Sequence, residues 1–230
     1  MLKNKIRKIR DFLDYLFVSL DGIGALHDKL RGMEGSFGRA IDGIKEAKKY
    51  LPVSISFTIT KDNYFQATYM VKLAKKYGIG INFQVAYNYS TAEMMSPGKK
   101  DLYSVIIQLL NLKKKGYSIV NSKEYFEAIL NSWYYYLPWK CKPWLTINID
   151  PQGRIVMPCY VLNEYHGTFK VWEIDVIRLW NQYDWSKFEN CNKCALSCYL
   201  EPSLFSWSNL SIIKERIIDD VVEYIKGIIT

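Results

Sequence analysis

Between residues 15 and 87 the chain switches repeatedly between two hydrophobic periods. Residues 53–60 (VSISFTIT) alternate strictly, with Val53, Ile55, Phe57 and Ile59 on one face and Ser54, Ser56, Thr58 and Thr60 on the other. Residues 81–87 (INFQVAY) alternate again, and residues 15–21 (YLFVSLD) read as a further strand. A period of two marks a strand with unlike faces. The segments between these strands have the helical period. Residues 36–50 carry Phe37, Ile41, Ile44 and Ala47 on one stripe, with Ser36 as the expected N-cap, and residues 63–77 end at Gly78. An earlier short helix, residues 4–13, has Ile6, Ile9 and Leu13 on one face. Strand, helix, strand, helix, strand predicts parallel βα units and an α/β fold.

The alternation also carries a functional hint. A parallel strand buried on both faces is apolar throughout. Here three successive strands each offer a polar face: Ser19 and Asp21 in the first, Ser54 to Thr60 in the second, Asn82 and Gln84 in the third. This pattern suits a curved sheet with helices outside and a polar cavity inside. Small hydroxyl residues filling a packed interior would give the same pattern.

Beyond residue 90 the character changes. Residues 101–115 and 122–136 read as helices, and the aromatic run around Trp133, Tyr134, Tyr136 and Trp139 reads as core between domains. LTINIDPQGRIVMPCYVL predicts a hairpin turning at Asp150-Pro151-Gln152-Gly153. A short helix at 175–183, a Cys-rich loop and a terminal helix from about residue 210 follow. The expected domains are 1–90, a barrel part; 91–140, a helical aromatic connector; and 141–230, a Cys-rich domain.

Composition narrows the class. The chain has 230 residues, 49% hydrophobic and 23% charged, which is ordinary for a folded protein. No apolar run reaches the ~18–20 residues of a membrane span, and the basic start lacks the apolar core of a secretory signal. A cytoplasmic protein without a membrane partner is expected. The 31 basic and 23 acidic residues leave a charge of +8. That excess favours acidic partners, an acidic electron donor among them. Short clusters such as Lys113, Lys114 and Lys115 read as solvated faces, and no nucleic-acid-reading motif accompanies them.

Cysteine carries the most specific chemistry. All five lie after residue 140, at Cys141, Cys159, Cys191, Cys194 and Cys198. An odd number argues against a disulfide framework. The C-x2-C-x3-C group places thiolates around one centre without chain strain, and the hairpin cysteines extend the donor set. Structural zinc and an iron–sulfur cubane would each take four thiolates, so spacing leaves both open.

Two segments resemble the radical S-adenosylmethionine enzymes that carry a twitch or SPASM-type C-terminal extension. VSLDGIGALHDKLRGMEGSFGRAIDGIKEA, residues 18–47, looks like the fourth strand of that family's partial βα barrel and the helix after it. CKPWLTINIDPQGRIVMPCY followed by CNKCALSC looks like its auxiliary-cluster domain. The resemblance implies an α/β fold: the C-terminal half of a partial (βα) TIM-like barrel, then a small Cys-rich α+β twitch/SPASM-like domain. It implies that Ser19 and Asp21 stand on the strand that helps bind S-adenosylmethionine, and that Arg31 matches the arginine meeting the methionine carboxylate. It implies that Cys141, Cys159, Cys191, Cys194 and Cys198 match auxiliary-cluster positions. Five cysteines against seven in the full SPASM pattern imply one auxiliary 4Fe–4S cluster. His27 belongs to the family's HD pair, although an exposed histidine at a helix start fits the residues as well. His166 has no pattern around it.

The sequence departs from the family at one decisive point. No cysteine precedes Cys141, so the C-x3-C-x2-C loop that holds the catalytic cluster is absent from these residues, as are the first three βα units. The chain is expected to be the C-terminal part of such an enzyme, inactive alone, binding S-adenosylmethionine only when completed by an N-terminal half. A separately encoded half-barrel or a second copy is the expected partner, and the substrate is unknown. A non-catalytic iron–sulfur electron-transfer or scaffold module, and a zinc-stabilised nucleic-acid-binding protein, are the alternatives.

Overall fold

A computed structural model describes residues 2–87, 94–131, 140–162, 169–191 and 194–205. The chain divides into two compact units, Met1–Phe126 and Glu127–Thr230.

The first unit opens with helix α1 (Leu2–Ile9) and a 3-10 turn at Arg10–Phe12, where the hydrophobic pattern predicts one helix. Strand β1 (Leu16–Ser19), helix α2 (Ala25–Arg31) and helix α3 (Ser36–Ala47) follow. Then come strand β2 (Val53–Ile59), helix α4 (Ala67–Tyr77), strand β3 (Gly80–Val85) and helix α5 (Lys99–Lys114). Helix α6 (Lys123–Asn131) begins at Ser122, whose hydroxyl accepts from the Tyr125 amide at 3.1 Å. The strands form one parallel sheet in the order β1-β2-β3. The α/β class with a parallel sheet is therefore as the sequence predicts.

One face of the sheet makes the core. Ile55, Phe57, Ile59, Ile81, Phe83 and Val85 have no exposed surface. Phe57 meets Phe83 edge to face at 5.7 Å, and Phe83 meets Phe126 at 6.4 Å. Burying each such side chain contributes about 1.5–3 kcal/mol. Helix α1 packs on α3 and sinks Ile6 completely. Arg7 of α1 reaches Glu46 of α3 at 3.0 Å, and Lys49 reaches the same carboxylate at 2.7 Å.

The opposite face is polar, and its rows are in register. Phe17, Ser54 and Gly80 form one row, Ser19, Ser56 and Asn82 the next, and Thr58 pairs with Gln84. Ser56, Thr58, Asn82 and Gln84 are half-buried, whereas Ser54 is fully buried and bonded to the Tyr15 hydroxyl at 2.6 Å. Gly80 is required in its row, because a Cβ there would run into the Ser54 hydroxyl.

The outer border of β3 is closed by residues 118–121, a segment that sequence pattern does not mark. Ile81 donates to the Ser118 carbonyl and accepts from Val120, both at 2.9 Å. Asn121 then continues the ladder with its side chain, accepting from the Phe83 amide at 2.6 Å and donating to the Phe83 carbonyl at 2.9 Å.

The second unit has far less regular structure. Strands β4 (Asn148–Ile149) and β5 (Ile155–Val156) pair antiparallel around a turn in which the Asp150 carboxylate accepts from the Gln152 and Arg154 amides, each at 2.9 Å. Helix α7 (Val176–Gln182) is N-capped by Asp175, which accepts from the Arg178 amide at 3.0 Å. Helix α8 (Ser197–Leu204) occupies part of what reads from sequence as a loop. The aromatic run at 132–139, His166 and the expected terminal helix from residue 210 lie outside the described residues. No helix among the described residues is long and apolar enough to cross a membrane.

Candidate functional site

In a parallel βα sheet, polar groups gathered at the carboxyl ends of strands mark the place where ligands bind. The end of β1 carries such a group. Arg31, on the last turn of α2, pairs with Asp21 at 2.6 Å. Ser19 is exposed at the last position of β1, in the row with Ser56 and Asn82. The structure therefore joins two of the three residues singled out from sequence in one contact and places the third two residues earlier on the same strand.

What holds Asp21 is a layer of buried side chains. His27 is 3% exposed, which corrects the expectation of an exposed helix-start histidine. Its Nδ1 accepts from the Asp21 amide at 3.0 Å, and burial lowers its basicity. Asn63, fully buried, ties two strand ends together. Its Nδ2 donates to the carbonyls of Asp21 at 3.0 Å and Thr58 at 2.9 Å, while its Oδ1 accepts from the Thr60 amide at 2.7 Å. Gln66 accepts from the Ile23 amide at 2.7 Å. Neither Asn63 nor Gln66 stands out in sequence. The Thr-Lys-Asp-Asn turn directly after β2 is the signal that marks Asn63, since asparagine after a strand bonds local backbone.

Asp28 performs the capping expected of Ser36. It accepts from the amides of Gly35 and Phe37, each at 2.7 Å, and from the Ser36 hydroxyl at 2.8 Å. The Phe37 amide is the main cause that holds its carboxyl below the usual range. Gly35 precedes α3 at φ 70°, a left-handed position suited to glycine. The carboxylate of one helix thus fixes the start of the next.

The five cysteines of the second unit form no disulfide, and their thiols influence one another electrostatically. The Cys141 amide donates to the Cys191 carbonyl at 3.1 Å. Cys159 accepts from the Leu162 amide at 3.4 Å. Thr146 of the hairpin bonds the Cys198 carbonyl at 3.1 Å, and the buried Tyr199 hydroxyl donates to Asn148 at 2.9 Å while accepting from the Tyr160 amide at 3.0 Å. Hairpin and α8 thus bring the sequence-distant cysteines into one neighbourhood. Burial, then the charges of Cys191, Cys194 and Cys159, push the Cys141 thiol up to about 12. Burial pushes Cys194 up to about 12, and Cys198, although it reaches solvent, to about 11. Deprotonated, such thiols are the donors that iron–sulfur clusters and zinc select. Among the described residues, however, no three His, Cys, Asp or Glu side chains are gathered closely enough to hold a metal ion.

Comparison with known proteins fits this fold. Over 67 residues the chain is 37% identical to the pre-heme d1 synthase of Dinoroseobacter shibae, covering 29% of this chain and 17% of that protein. Over 65 residues it is 42% identical to the AdoMet-dependent heme synthase of Methanosarcina barkeri, covering 27% and 19%. Over 52 residues it is 44% identical to the Fe-coproporphyrin III synthase of the same organism, covering 22% and 13%. The chain thus matches less than a fifth of the length of these relatives. A solved structure described as native anSMEcpe with bound AdoMet and Cp18Cys peptide superposes with a TM-score of 0.55 at 14% identity, over 98% of this chain and 73% of that one. At that identity the likeness is one of fold. The fold and these relatives place the chain with the radical S-adenosylmethionine proteins. Within that class, the chain belongs to the family described as "Domain of unknown function (DUF3463)", which matches residues 81–218.

Proposed function

We propose that this chain supplies the C-terminal part of a radical S-adenosylmethionine enzyme. Residues 1–90 form part of the barrel wall, 91–140 the connector, and 141–230 a twitch/SPASM-like domain with one auxiliary 4Fe–4S cluster. The observation that carries the reading is the Asp21–Arg31 pair at the carboxyl end of a parallel strand, backed by buried His27 and Asn63. Arg31 is partly exposed and presents a guanidinium suited to a carboxylate such as that of the methionine moiety. Asp21 orients that guanidinium, and Ser19 offers a hydroxyl on the same strand. The name of one relative, an AdoMet-dependent heme synthase, supports a role for AdoMet.

Thiolates for the cluster come from among Cys141, Cys159, Cys191, Cys194 and Cys198, drawn together from the neighbourhood they already share. A cluster there supplies or accepts single electrons. The cluster that reduces the sulfonium must come from polypeptide outside these residues, because no cysteine precedes Cys141. A strand added beside β1 from a separately encoded N-terminal half would bring it, whereas a second copy of this chain would lengthen the sheet without supplying that loop. Unpaired strand edges attract such additions.

Two measurements on anaerobically prepared protein test the reading. About four irons and four sulfides per chain, with the broad absorbance of a cubane, are expected; stoichiometric zinc without iron would overturn the cluster assignment. Calorimetric titration with S-adenosylmethionine should show binding only after an N-terminal half is added, binding that Arg31→Ala removes, and added reductant should release no 5′-deoxyadenosine from this chain alone.

A further inference from the structure

The second unit holds a cavity of about 340 Å3 lined by Trp144, Trp180, Asn181, Trp185, Ser186 and Glu189. None of the five cysteines lines it. Its walls are indoles set at angles: Trp180 and Trp185 have centroids 4.6 Å apart at 54°, and Trp144 and Trp185 6.2 Å apart at 60°. Two of the ring N–H groups are committed inside the unit. Trp180 Nε1 donates to the Trp144 carbonyl at 3.0 Å, and Trp185 Nε1 to the Trp180 carbonyl at 2.9 Å. These bonds fix the rings and take away the donors with which those two indoles would greet an anion. What those two indoles offer a ligand is aromatic surface, which carries a negative quadrupole on its face.

The rim adds charge of the same preference. Glu189 is an exposed carboxylate on the cavity, and the Ser186 hydroxyl is turned to Asp184, 2.5 Å away. The chain's own cations already show the attraction. The Lys187 ammonium lies 5.8 Å from the ring of Tyr183, which itself sits 4.7 Å from Trp185. Lys187 occupies the outer ring of the cluster and does not line the tryptophan cavity. The volume is at the low end for ligand pockets and suits a compact headgroup.

We propose that this cavity binds an alkylammonium group, with the indole faces of Trp144, Trp180 and Trp185 around the cation and Glu189 neutralising it. The group can be a quaternary headgroup or the primary ammonium of a lysine-like chain; both present the same charge to the same rings. The site stands on residues separate from those of the S-adenosylmethionine reading, so either stands if the other fails.

The test uses the full chain, labelled with 15N, with its indole N–H signals followed by NMR. The probes are choline, butylammonium and the uncharged choline isostere 3,3-dimethylbutan-1-ol, all at matched ionic strength. Saturable shifts of the Trp180 and Trp185 signals are expected with at least one ammonium, and binding of the isostere about tenfold weaker or worse. Glu189→Gln, an exposed change that leaves the remaining spectrum in place, should weaken ammonium binding about fivefold. Preference for choline assigns a quaternary headgroup, and preference for butylammonium a primary one. Equal binding of choline and its isostere, no change in Glu189→Gln, or no saturation by either ammonium overturns the proposal.

Discussion

The two units of this protein hold themselves together in different ways. The first is written in backbone hydrogen bonds: three parallel strands, flanking helices, and side chains such as Asn63, Asn121 and Asp28 that complete ladders and caps. The second pairs only two residues in each strand of its hairpin and concentrates five thiols around it. A two-residue ladder is too small to stand by itself in water. Stability in the first unit is thus spread over many ordinary contacts. In the second it rests on aromatic packing and, on the reading proposed above, on a cluster held by the thiols.

The largest expected effect is therefore chemical and confined to one side. With the cluster proposed above, Cys194→Ala, or removal of that cluster by a strong chelator, should abolish cooperative unfolding of the second unit. Slow-exchanging amides of β2 and β3 should survive, as read by hydrogen exchange. Loss of protection in both units together would erase the contrast. In the first unit, Phe57→Ala should cost about 3–5 kcal/mol by urea denaturation, because the ring is completely buried against Phe83. Asn121→Leu should cost about 2–4 kcal/mol, since it leaves the Phe83 amide and carbonyl without their partner. An unchanged midpoint for Asn121→Leu would mean that the ladder is satisfied some other way.

The smallest effect is a pH dependence. Lys49 and Arg7 lower Glu46 from the usual 4.5 to about 2. A depressed carboxyl means that the unfolded chain takes up the proton first. Its contribution is thus fully present above about pH 4.5 and is lost as pH falls toward about 2. Thermal melts of the first unit should decline through that window, and Glu46→Gln should flatten the decline.

The same contrast explains what sequence pattern could and could not tell. β2 is legible almost to the residue, since a strict alternation of Val, Ile and Phe with Ser and Thr admits one reading. Helices at 36–50 and 101–115 correspond to α3 and α5 because their apolar stripes face the core. The 63–77 helix divides into a 3-10 turn at Tyr64–Gln66 and α4, because Asn63 spends its side chain on the strand ends rather than on a cap. α2 is missed, being seven residues long and lying between glycines. α8 is missed because cysteines and Pro202 hide a helical segment. For the site, Asp21 and Arg31 are legible through the resemblance to a family, as is His27, but the burial of His27 and the support from Asn63 are not. Burial of a polar side chain depends on tertiary neighbours that no local period encodes.

Asn121 gives the sheet a direction of growth. By occupying the donor and acceptor of Phe83, a single amide side chain ends the sheet at β3 as a chain stopper ends a polymer. Among the described residues, β1 is then the end at which the sheet can still be lengthened. Any strand joining there enters beside Ser19, adjacent to the Asp21–Arg31 pair, and leaves the far border undisturbed.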